Sequence, residues 1–600
     1  MVLFALTNPS KLKQNSHHSF SESLMEDSIE DAEAIIHKWI SPELLDSSSS
    51  ASSSFCCVSS LFSTGNREEA KRFIGAVNSL HSGMVRLVSV NPGSMKLVRA
   101  ENLMKISMNH LSKEFYRILK SNRRYLDPES VSVRSRMSSI SDSESDDEEL
   151  ESRNSKSVTR DEEDADAMAD LKMIADCMIS SGYGKECLRI YKKIRKSIIV
   201  EALDQLGFEN LSFSQMQKLD WGIMEKKIRK WLRVARRAVM TLFYGERILS
   251  DHVFSSSSAI RESSFAEITL QSALAMFSFP GNMAKSRKSP EKIFLTLDVY
   301  QSIIELLPTI EEVFSYDSTS SVKSQIAETL TNLEEGVISM MDEFESSISK
   351  ESSKSLVSGG GIHQLTRYVM NFIVFLADYS DTLSDIIPQT SSLLSSSGEA
   401  DSSSSSPLAK RISWLILFLL CKIDAKSRLY NDVALSYLFL INNLHYVVVK
   451  VRTSNLKEIL SDDWLEKHEG KVKKYVAKFE EIVWGEMMVM VMVMETSLPT
   501  AEEVIRRFSN RFEEAYKRQT GWVVPDPKLR DEMKVSAAMM LIPTYSEYYK
   551  KYRVGLRKNV GFAPEDIGNY LSDLYFGSGG SAIVSSIQSS DSDVFDTRGS

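Results

Sequence analysis

Glycines, histidines and cysteines are the residues of this chain that could take part in phosphate, metal or nucleophilic chemistry, and their spacing decides whether they do. A phosphate-binding loop needs glycines followed by Lys and Ser or Thr, so that backbone amides hold the phosphate, and the sequence has no such run. Gly359-Gly360-Gly361 could present amides to an anion ahead of a helix. The triplet is more typical of a flexible linker.

Catalytic and metal-binding spacings are also missing. His468-Glu469 lacks the second histidine of a zinc helix, and no GxSxG nucleophile motif occurs. The nine histidines do not stand near cysteines or carboxylates at ligand spacings. We therefore predict no catalytic residue, no cofactor and no metal ion. An enzyme or a nucleotide switch would need a motif that this sequence lacks.

A basic cluster surrounds Trp231 on a predicted helix. It consists of Lys226, Lys227, Arg229, Lys230, Arg233, Arg236 and Arg237. A solvated helix face is the commonest explanation of such a cluster, and a binding surface is the alternative.

A second basic cluster lies near the C-terminus, where residues 526–558 hold eight basic side chains against four acidic ones. The basic members are Lys528, Arg530, Lys534, Lys550, Lys551, Arg553, Arg557 and Lys558. Tyr548, Tyr549 and Tyr552 lie among them, and amphipathic rings beside basic tips suit a lipid headgroup layer. The pattern alone leaves membrane contact and a solvated face both open.

Composition narrows the setting in which these clusters act. The net charge of −9 argues against nucleic acid as a partner of the whole protein. Five scattered cysteines without a CxxC pair favour a reducing cytosol. The apolar runs Trp414–Ile423 and Met487–Met494 are shorter than the roughly 20 residues of a membrane span, so we predict that both are buried core.

The elements that carry these residues are predicted to be helices almost throughout. Gly (25) and Pro (14) are scarce for 600 residues, so turns are few. Apolar residues recur at helical spacing, as in Met104, Met108, Leu111 and Phe115. No repeat of about 33 to 47 residues is present. The sequence therefore predicts an all-α protein of stacked antiparallel bundles.

Composition shifts divide the chain into seven predicted parts. Residues 131–165 are rich in acidic residues and serine and poor in apolar ones, which predicts a linker. The predicted parts are a partly disordered N-terminus (1–65), a helical or coiled-coil segment (66–130), the acidic linker (131–165), central helical bundles (166–395), a Ser-rich loop (396–408), C-terminal bundles with the basic cluster (409–577) and a disordered tail (578–600).

Several blocks of the sequence resemble the seventy-kilodalton subunit of the exocyst tethering complex, in particular its plant branch. The run DVALSYLFLINNLHYVVVKVRTSNL (432–456), followed by DDWLEKHEGKVKKY (462–475), is the most distinctive. The other blocks are VRAENLMKISMNHLSKEFYRIL (98–119), YLDPESVSVRS (125–135), SPEKIFLTLDVYQSIIELLPTIEEVF (289–314), IHQLTRYVMNFIVFLADYSDTL (362–383), WVVPDPKLRDEMKVSAAMMLIPTY (522–545) and FAPEDIGNYLSDLYFG (562–577). They occur in the same order as in that family.

The resemblance implies an elongated rod of consecutive antiparallel helical bundles that helps to dock secretory vesicles at the plasma membrane before fusion. It implies other exocyst subunits, small GTPases and anionic phospholipids as partners. It places the protein in the cytoplasm, peripherally recruited to the plasma membrane or to vesicles. The family's phosphoinositide surface, carried over to this sequence, falls on Lys534, Lys550, Lys551, Arg553, Arg557 and Lys558.

The sequence departs from the resembled family at one point, and a second function is also compatible with the resemblance. Gly561 stands where the family often has a lysine, and the preceding stretch is short, so lipid preference is expected to be weakened or altered. The alternative function is an exocyst-independent helical scaffold in defence or autophagy-related membrane traffic.

Overall fold

The computed structural model describes residues 20–40, 61–62, 66–121, 158–286, 289–387, 406–493, 498–552 and 561–577. Within these ranges the chain forms helices and turns, and the one β-type pairing is an isolated bridge between Val523 and Phe576. The prediction of an all-α protein is confirmed.

The chain divides into two compact units. The first comprises Met1–Arg287 with Asp298–Leu333, and the second comprises Lys288–Leu297 with Glu334–Ser600. The finer seven-part division stays a prediction.

The first unit is built from helices α1 to α9. They are α1 (Phe20–Ile40), α2 (Arg67–Val90), α3 (Met95–Ser121), α4 (Val158–Ser180), α5 (Gly184–Gln205), α6 (Phe213–Met216), α7 (Trp221–Arg237), α8 (Tyr244–Val253) and α9 (Ser258–Ala284). A π-helical turn, Ala238–Phe243, joins α7 to α8 without a break. Helices α10 (Ile293–Val313) and α11 (Ser320–Lys350) follow, and each contributes residues to both units.

The second unit continues with helices α12 to α20. They are α12 (Gln364–Ala377), α13 (Ser380–Ile386), α14 (Pro407–Ser427), α15 (Val433–Arg452), α16 (Leu456–Leu460), α17 (Asp462–Val493), α18 (Leu498–Gln519), α19 (Pro527–Tyr552) and α20 (Pro564–Ser572).

Local sequence explains why α7 begins and which side it buries. The Asp220 carboxylate accepts a hydrogen bond from the Gly222 amide at 3.1 Å and so caps the first turn. Met224, Ile228 and Trp231 recur at helical spacing and are buried. The Trp231 indole N–H donates to the Met276 carbonyl of α9 at 2.9 Å, which fixes the buried side of α7. The basic residues of the Trp231 cluster are thereby directed away from the core.

The glycine triplet is a packed turn, so the interpretation of it as a flexible linker is wrong. Gly359 and Gly360 have φ of +67° and +71°, and a Cβ on Gly360 would lie 2.9 Å from Leu435 Cδ1. Asn442 donates to the Gly360 carbonyl at 2.7 Å and Asn443 to the Gly361 carbonyl at 3.2 Å. Carbonyl oxygens of the turn are thus tied to α15, and both the backbone conformation and the close approach require glycine.

Among the described residues, two helical stretches are long and apolar enough to cross a membrane by length and hydropathy. They are Pro290–Val313 and Val433–Arg452, and half of each is buried inside the protein. The second contains the side chains of Asn442 and Asn443, both buried and hydrogen-bonded to neighbouring segments. Core helices satisfy the same length and hydropathy criteria, so these features are weak evidence of spans.

Some predicted boundaries fall on residues outside the described ranges. The acidic linker lies outside them as far as residue 157, and α4 begins at Val158, so the end of the predicted linker is helical. Most of the Ser-rich loop and the tail 578–600 also lie outside the described residues. The predicted N-terminal part, 1–65, contains helix α1.

Candidate membrane-contact site

Helices α17, α18 and α19 form the framework that carries the C-terminal basic cluster. The Trp484 ring of α17 stacks on Phe512 of α18 with centroids 6.0 Å apart, and Phe508 of α18 stacks on Tyr545 of α19 at 4.1 Å. Glu486 of α17 also pairs with Arg511 of α18 at 3.4 Å, so later residues of α17 meet earlier residues of α18. Helices α18 and α19 are joined by the short connection 520–526 and still meet far from it, at Phe508 and Tyr545, so α18 is antiparallel to both neighbours. The C-terminal ends of α17 and α19 and the start of α18 therefore lie at the same end of this bundle.

Lys550 and Lys551 lie in the last turn of α19 and are exposed. Cations at this position are favoured by the partial negative charge of the helix C-terminus. Neither ammonium group has an ion-pair partner among the described residues, and Lys551 lies over the Tyr552 ring at 5.3 Å. Both charges are available to an external anion.

Lys534 lies in a different environment from Lys550 and Lys551. Its ammonium donates a 2.6 Å hydrogen bond to the Ser572 carbonyl at the end of α20 and lies 4.1 Å from the Phe576 ring centroid. Burial, reinforced by the nearby Arg530 charge, lowers the pKa of Lys534. Its contacts hold α20 against α19, which leaves less of the charge for a ligand.

Three of the six predicted site residues, Arg553, Arg557 and Lys558, lie outside the described residues. The structure therefore brings Lys550 and Lys551 together at the end of α19 and places Lys534 about four turns earlier on the same helix.

One tyrosine of the cluster, Tyr548, is packed more deeply than a headgroup anchor would be. Tyr548 is buried, and its ring lies 4.9 Å from that of Tyr552. The preceding Tyr545 donates from its hydroxyl to the Phe562 carbonyl at 2.8 Å. This side of α19 covers α18 and the start of α20, so the Tyr548 ring is not presented to a headgroup layer.

The apolar end of α17 is partly exposed, which corrects the prediction that Met487–Met494 is buried core. Met487 and Val491 are buried, but Val489 is 59% and Met492 67% exposed. These two side chains lie at the end of the bundle that carries Lys550 and Lys551. The alternation of methionine and valine in a helix places some of them on each face, a signal that the run alone contained.

Gly561 is held in a close contact that explains why no larger residue stands there. A Cβ at this position would lie 2.5 Å from Ser509 Oγ and 2.8 Å from Ile505 Cγ2. The next amide, that of Phe562, donates to Ser509 Oγ at 3.2 Å. The lysine common in the resembled family would not fit this packing against α18.

The Trp231 cluster has a partly neutralised side and a more exposed side. Lys227 pairs with Glu209 at 2.6 Å, and Arg229 pairs with Glu225 at 2.7 Å. Lys226, Arg233 and Arg236 are exposed and have no ion-pair partner in the part of the chain that the structure describes. No group of three His, Cys, Asp or Glu side chains able to hold a metal ion occurs within the described residues.

Two family models match this chain, one in its N-terminal part and one in its C-terminal part. The model for the C-terminal region of Exo70, a subunit of the exocyst complex, matches residues 229–573, and the model described as "Exocyst complex component Exo70 N-terminal" matches residues 28–121. The chain belongs to the Exo70 family. The matched C-terminal region covers more than half of its length and includes the described part of the basic cluster.

Individual relatives place this Exo70 chain in the plant branch. It is 31% identical to exocyst complex component EXO70B1 of Arabidopsis thaliana over 420 residues, which are 68% of this chain and 66% of the relative. It is 30% identical to exocyst complex component EXO70A1 of the same plant, over 67% of this chain and 66% of the relative. The chain thus spans just under two thirds of the length of these relatives.

A solved structure supports the fold independently. Exo70 of S. cerevisiae superimposes with a TM-score of 0.54 at 15% sequence identity, covering 93% of this chain and 99% of the yeast chain. At this identity the likeness concerns the fold alone.

Proposed function

We propose that this Exo70 chain acts as an exocyst subunit that helps to tether secretory vesicles at the plasma membrane, and that the end of its C-terminal bundle contacts anionic phosphoinositide. Membership of the Exo70 family through both the N- and C-terminal models is the observation that carries the tethering role. The partners proposed are other exocyst subunits and anionic phospholipids. Recruitment to the membrane is proposed to be peripheral. Small GTPases remain predicted partners.

The membrane contact is supported by the composition of one end of the bundle. Exposed Lys550 and Lys551 provide positive charge there, and Arg553, Arg557 and Lys558 follow directly in sequence. Val489 and Met492 provide exposed apolar surface at the same end. Cations attract anionic headgroups, and apolar side chains beside them can enter the headgroup boundary.

The expected affinity is modest. Each Lys or Arg near an anionic surface contributes about 1 kcal/mol, so five give an upper limit of about 5 kcal/mol. Salt reduces this value, since the Debye length at 0.15 M is only about 8 Å. Stable recruitment therefore requires a second contact, for which another exocyst subunit is the natural source.

Liposome sedimentation tests the lipid contact. Replacing Lys550, Lys551, Arg553, Arg557 and Lys558 by Ala should lower binding to phosphoinositide-containing liposomes by about tenfold or more at 0.1 M salt. The matched control replaces five exposed lysines of α17 (Lys467, Lys471, Lys473, Lys474 and Lys478) by Ala. They lie about 20–40 Å along the helix axis from Met492, and this control should lose less than about threefold. Equal losses in the two variants would show that net charge alone matters.

Affinity purification from native tissue tests the tethering role. Co-recovery of other exocyst subunits is expected with the wild type and with the five-alanine variant, because that variant changes only the lipid contact. Purification without any exocyst subunit would contradict the proposal and favour an exocyst-independent scaffold.

A further inference from the structure

The exposed side of α7 is an unusually concentrated positive surface for an acidic protein. Its members are Lys226, Arg229, Arg233, Arg236 and Arg237, which follow one another at short spacings along the helix and are all exposed. We call these five residues the α7 basic face. Like charges three or four residues apart destabilise a helix by about 0.2–0.5 kcal/mol per pair. An anionic occupant would remove this repulsion.

The acid groups around α7 leave most of the face open. Glu209 forms an ion pair with Lys227, and the Lys230 ammonium lies 3.9 Å from the same carboxylate. Glu225 forms an ion pair with Arg229, so the charge of this member of the face is partly neutralised. The charges of Lys226, Arg233 and Arg236 therefore set the sign of the face.

The path of the chain brings the start of α4 to the level of the α7 basic face. Helix α5 is antiparallel to α8, because Tyr191 contacts Ser250 at 3.3 Å and Arg195 pairs with Glu246 at 2.7 Å. Helices α4 and α5 are joined by the short turn Ser181–Tyr183, so α4 runs in the same direction as α7 and α8.

Helix α4 packs against α8, and Lys172 and Asp176 of α4 lie near enough to His252, at the end of α8, for their charges to act on its ring. Val158, the first residue of α4, precedes Asp176 by about 27 Å of helix. The same distance back from His252 reaches Val234 of α7. The start of α4 therefore lies at about the level of the α7 basic face.

A segment that ends seven residues before Val158 has the opposite charge, and Arg153 and Lys156 stand between it and α4. Residues 142–151 contain seven acidic side chains and no basic one: Asp142, Glu144, Asp146, Asp147, Glu148, Glu149 and Glu151. The seven residues from Glu151 to Val158 can span up to about 23 Å when fully extended. The α7 basic face is about 16 Å long. The segment is thus long enough to cover the face, and its reach exceeds the roughly 8–10 Å between the axes of packed helices.

We propose that residues 142–151, which lie outside the described residues, dock on the α7 basic face of the same chain. The contact neutralises Lys226, Arg233 and Arg236 and keeps this face away from anionic membranes, so that lipid binding is confined to the C-terminal bundle. The docking itself does not depend on the proposed function, whereas its consequence for lipid binding rests on the lipid contact proposed above.

Zero-length cross-linking of the full chain tests the contact. A carbodiimide joins a lysine ammonium directly to a carboxylate that touches it. We expect cross-links from Lys226 to residues 142–151, formed within one chain when labelled and unlabelled protein are mixed, and at least about fivefold fewer of them in about 0.5 M salt, where the Debye length is only a few Å. Cross-links found only between chains would overturn the proposal in favour of a second copy as the occupant. Cross-links spread evenly over all exposed lysines would overturn it as well.

Charge reversal provides the matched comparison. The test variant carries Asp146→Lys, Asp147→Lys, Glu148→Lys and Glu149→Lys, which should abolish cross-links to Lys226. Adding Lys226→Glu, Arg233→Glu and Arg236→Glu should restore cross-links between the two regions. Adding instead Lys113→Glu, Lys193→Glu and Lys323→Glu, at exposed positions of the first unit, should not restore them. Equal recovery in both combinations would contradict docking on α7.

Liposome sedimentation tests whether a membrane, rather than the acidic segment, occupies the α7 basic face. With the acidic segment intact, Lys226→Glu, Arg233→Glu and Arg236→Glu should leave sedimentation with anionic liposomes within about twofold of the wild type, because the docked segment already shields these charges. A tenfold loss would show that the α7 basic face is open to lipid and would overturn the proposal.

Discussion

Arg195 of α5 and Glu246 of α8 form an ion pair in which a guanidinium nitrogen lies 2.7 Å from a carboxylate oxygen and neither side chain is exposed. A second guanidinium contact, from Arg195 Nε to Glu246 Oε2, is 2.8 Å long. The Tyr191 hydroxyl donates to the other carboxylate oxygen at 3.2 Å. The two buried charges are therefore paired with one another, and the phenol supplies a further hydrogen bond to the carboxylate.

Breaking this ion pair from one side should destabilise the first unit strongly. Glu246→Gln leaves the Arg195 charge buried without its partner, which typically costs about 3–5 kcal/mol. The control Glu186→Gln removes a carboxylate from an exposed pair with Arg189 and should cost less than about 1 kcal/mol. Amide hydrogen exchange of peptides from α5 and α8 measures the difference. Equal protection in the two variants would contradict the structural role of the pair.

A side chain at Gly561 should destabilise the C-terminal bundle rather than improve lipid binding. Gly561→Ala places its Cβ against Ser509 Oγ and Ile505 Cγ2, at 2.5 and 2.8 Å in the present packing. Overpacking of this kind costs about 1–3 kcal/mol. The control Gly470→Ala, in open space within α17, should raise stability by about 0.4–1 kcal/mol. Thermal melting compares the two, and a stabilised Gly561→Ala variant would sink this explanation.

Protonation of His363 should weaken the start of α12. The His363 Nδ1 accepts a 3.0 Å hydrogen bond from the Leu365 amide, which only the neutral ring can do. Burial lowers the pKa of His363, and the Lys426 charge adds to the effect. Because the folded-state pKa is depressed, the stabilisation is complete above the unfolded pKa of about 6.5 and is lost as pH falls below it.

The variant His363→Asn isolates this contribution, since asparagine caps a helix without titrating near neutral pH. The melting temperature of the wild type should fall more between about pH 7 and pH 5.5 than that of the variant. Identical pH dependence in the two proteins would show that the cap does not titrate in this range.

The described cysteines should differ in how fast a thiol reagent modifies them. Cys177 and Cys187 are buried, and burial raises the pKa of each thiol to about 12, which leaves roughly one thiolate in ten thousand at pH 8. Cys421 is exposed. Iodoacetamide at about pH 8, followed by peptide mass spectrometry, should modify Cys421 at least about a hundredfold faster than the other two. Comparable rates in the folded protein would contradict the packing of α4 and α5.

Sequence by itself determined the helical character of the chain and its family. Helix propensity and the spacing of apolar residues are local properties, so the buried side of α7 and its exposed basic side could be predicted from residues 221–237 alone. The blocks that resemble the exocyst subunit are also contiguous runs, and the family models match across most of them.

Tertiary structure decided which of the predicted residues are free to act. Lys534 and Lys550 look alike in the sequence, but Lys534 is held by the Ser572 carbonyl, 38 positions away. Gly561 and the Gly359–Gly361 turn look like flexible points, and each is fixed by a close contact with a distant helix. Val489 and Met492 belong to an apolar run but face outward. Such outcomes depend on contacts between residues far apart in the chain, which the local pattern of side chains does not encode.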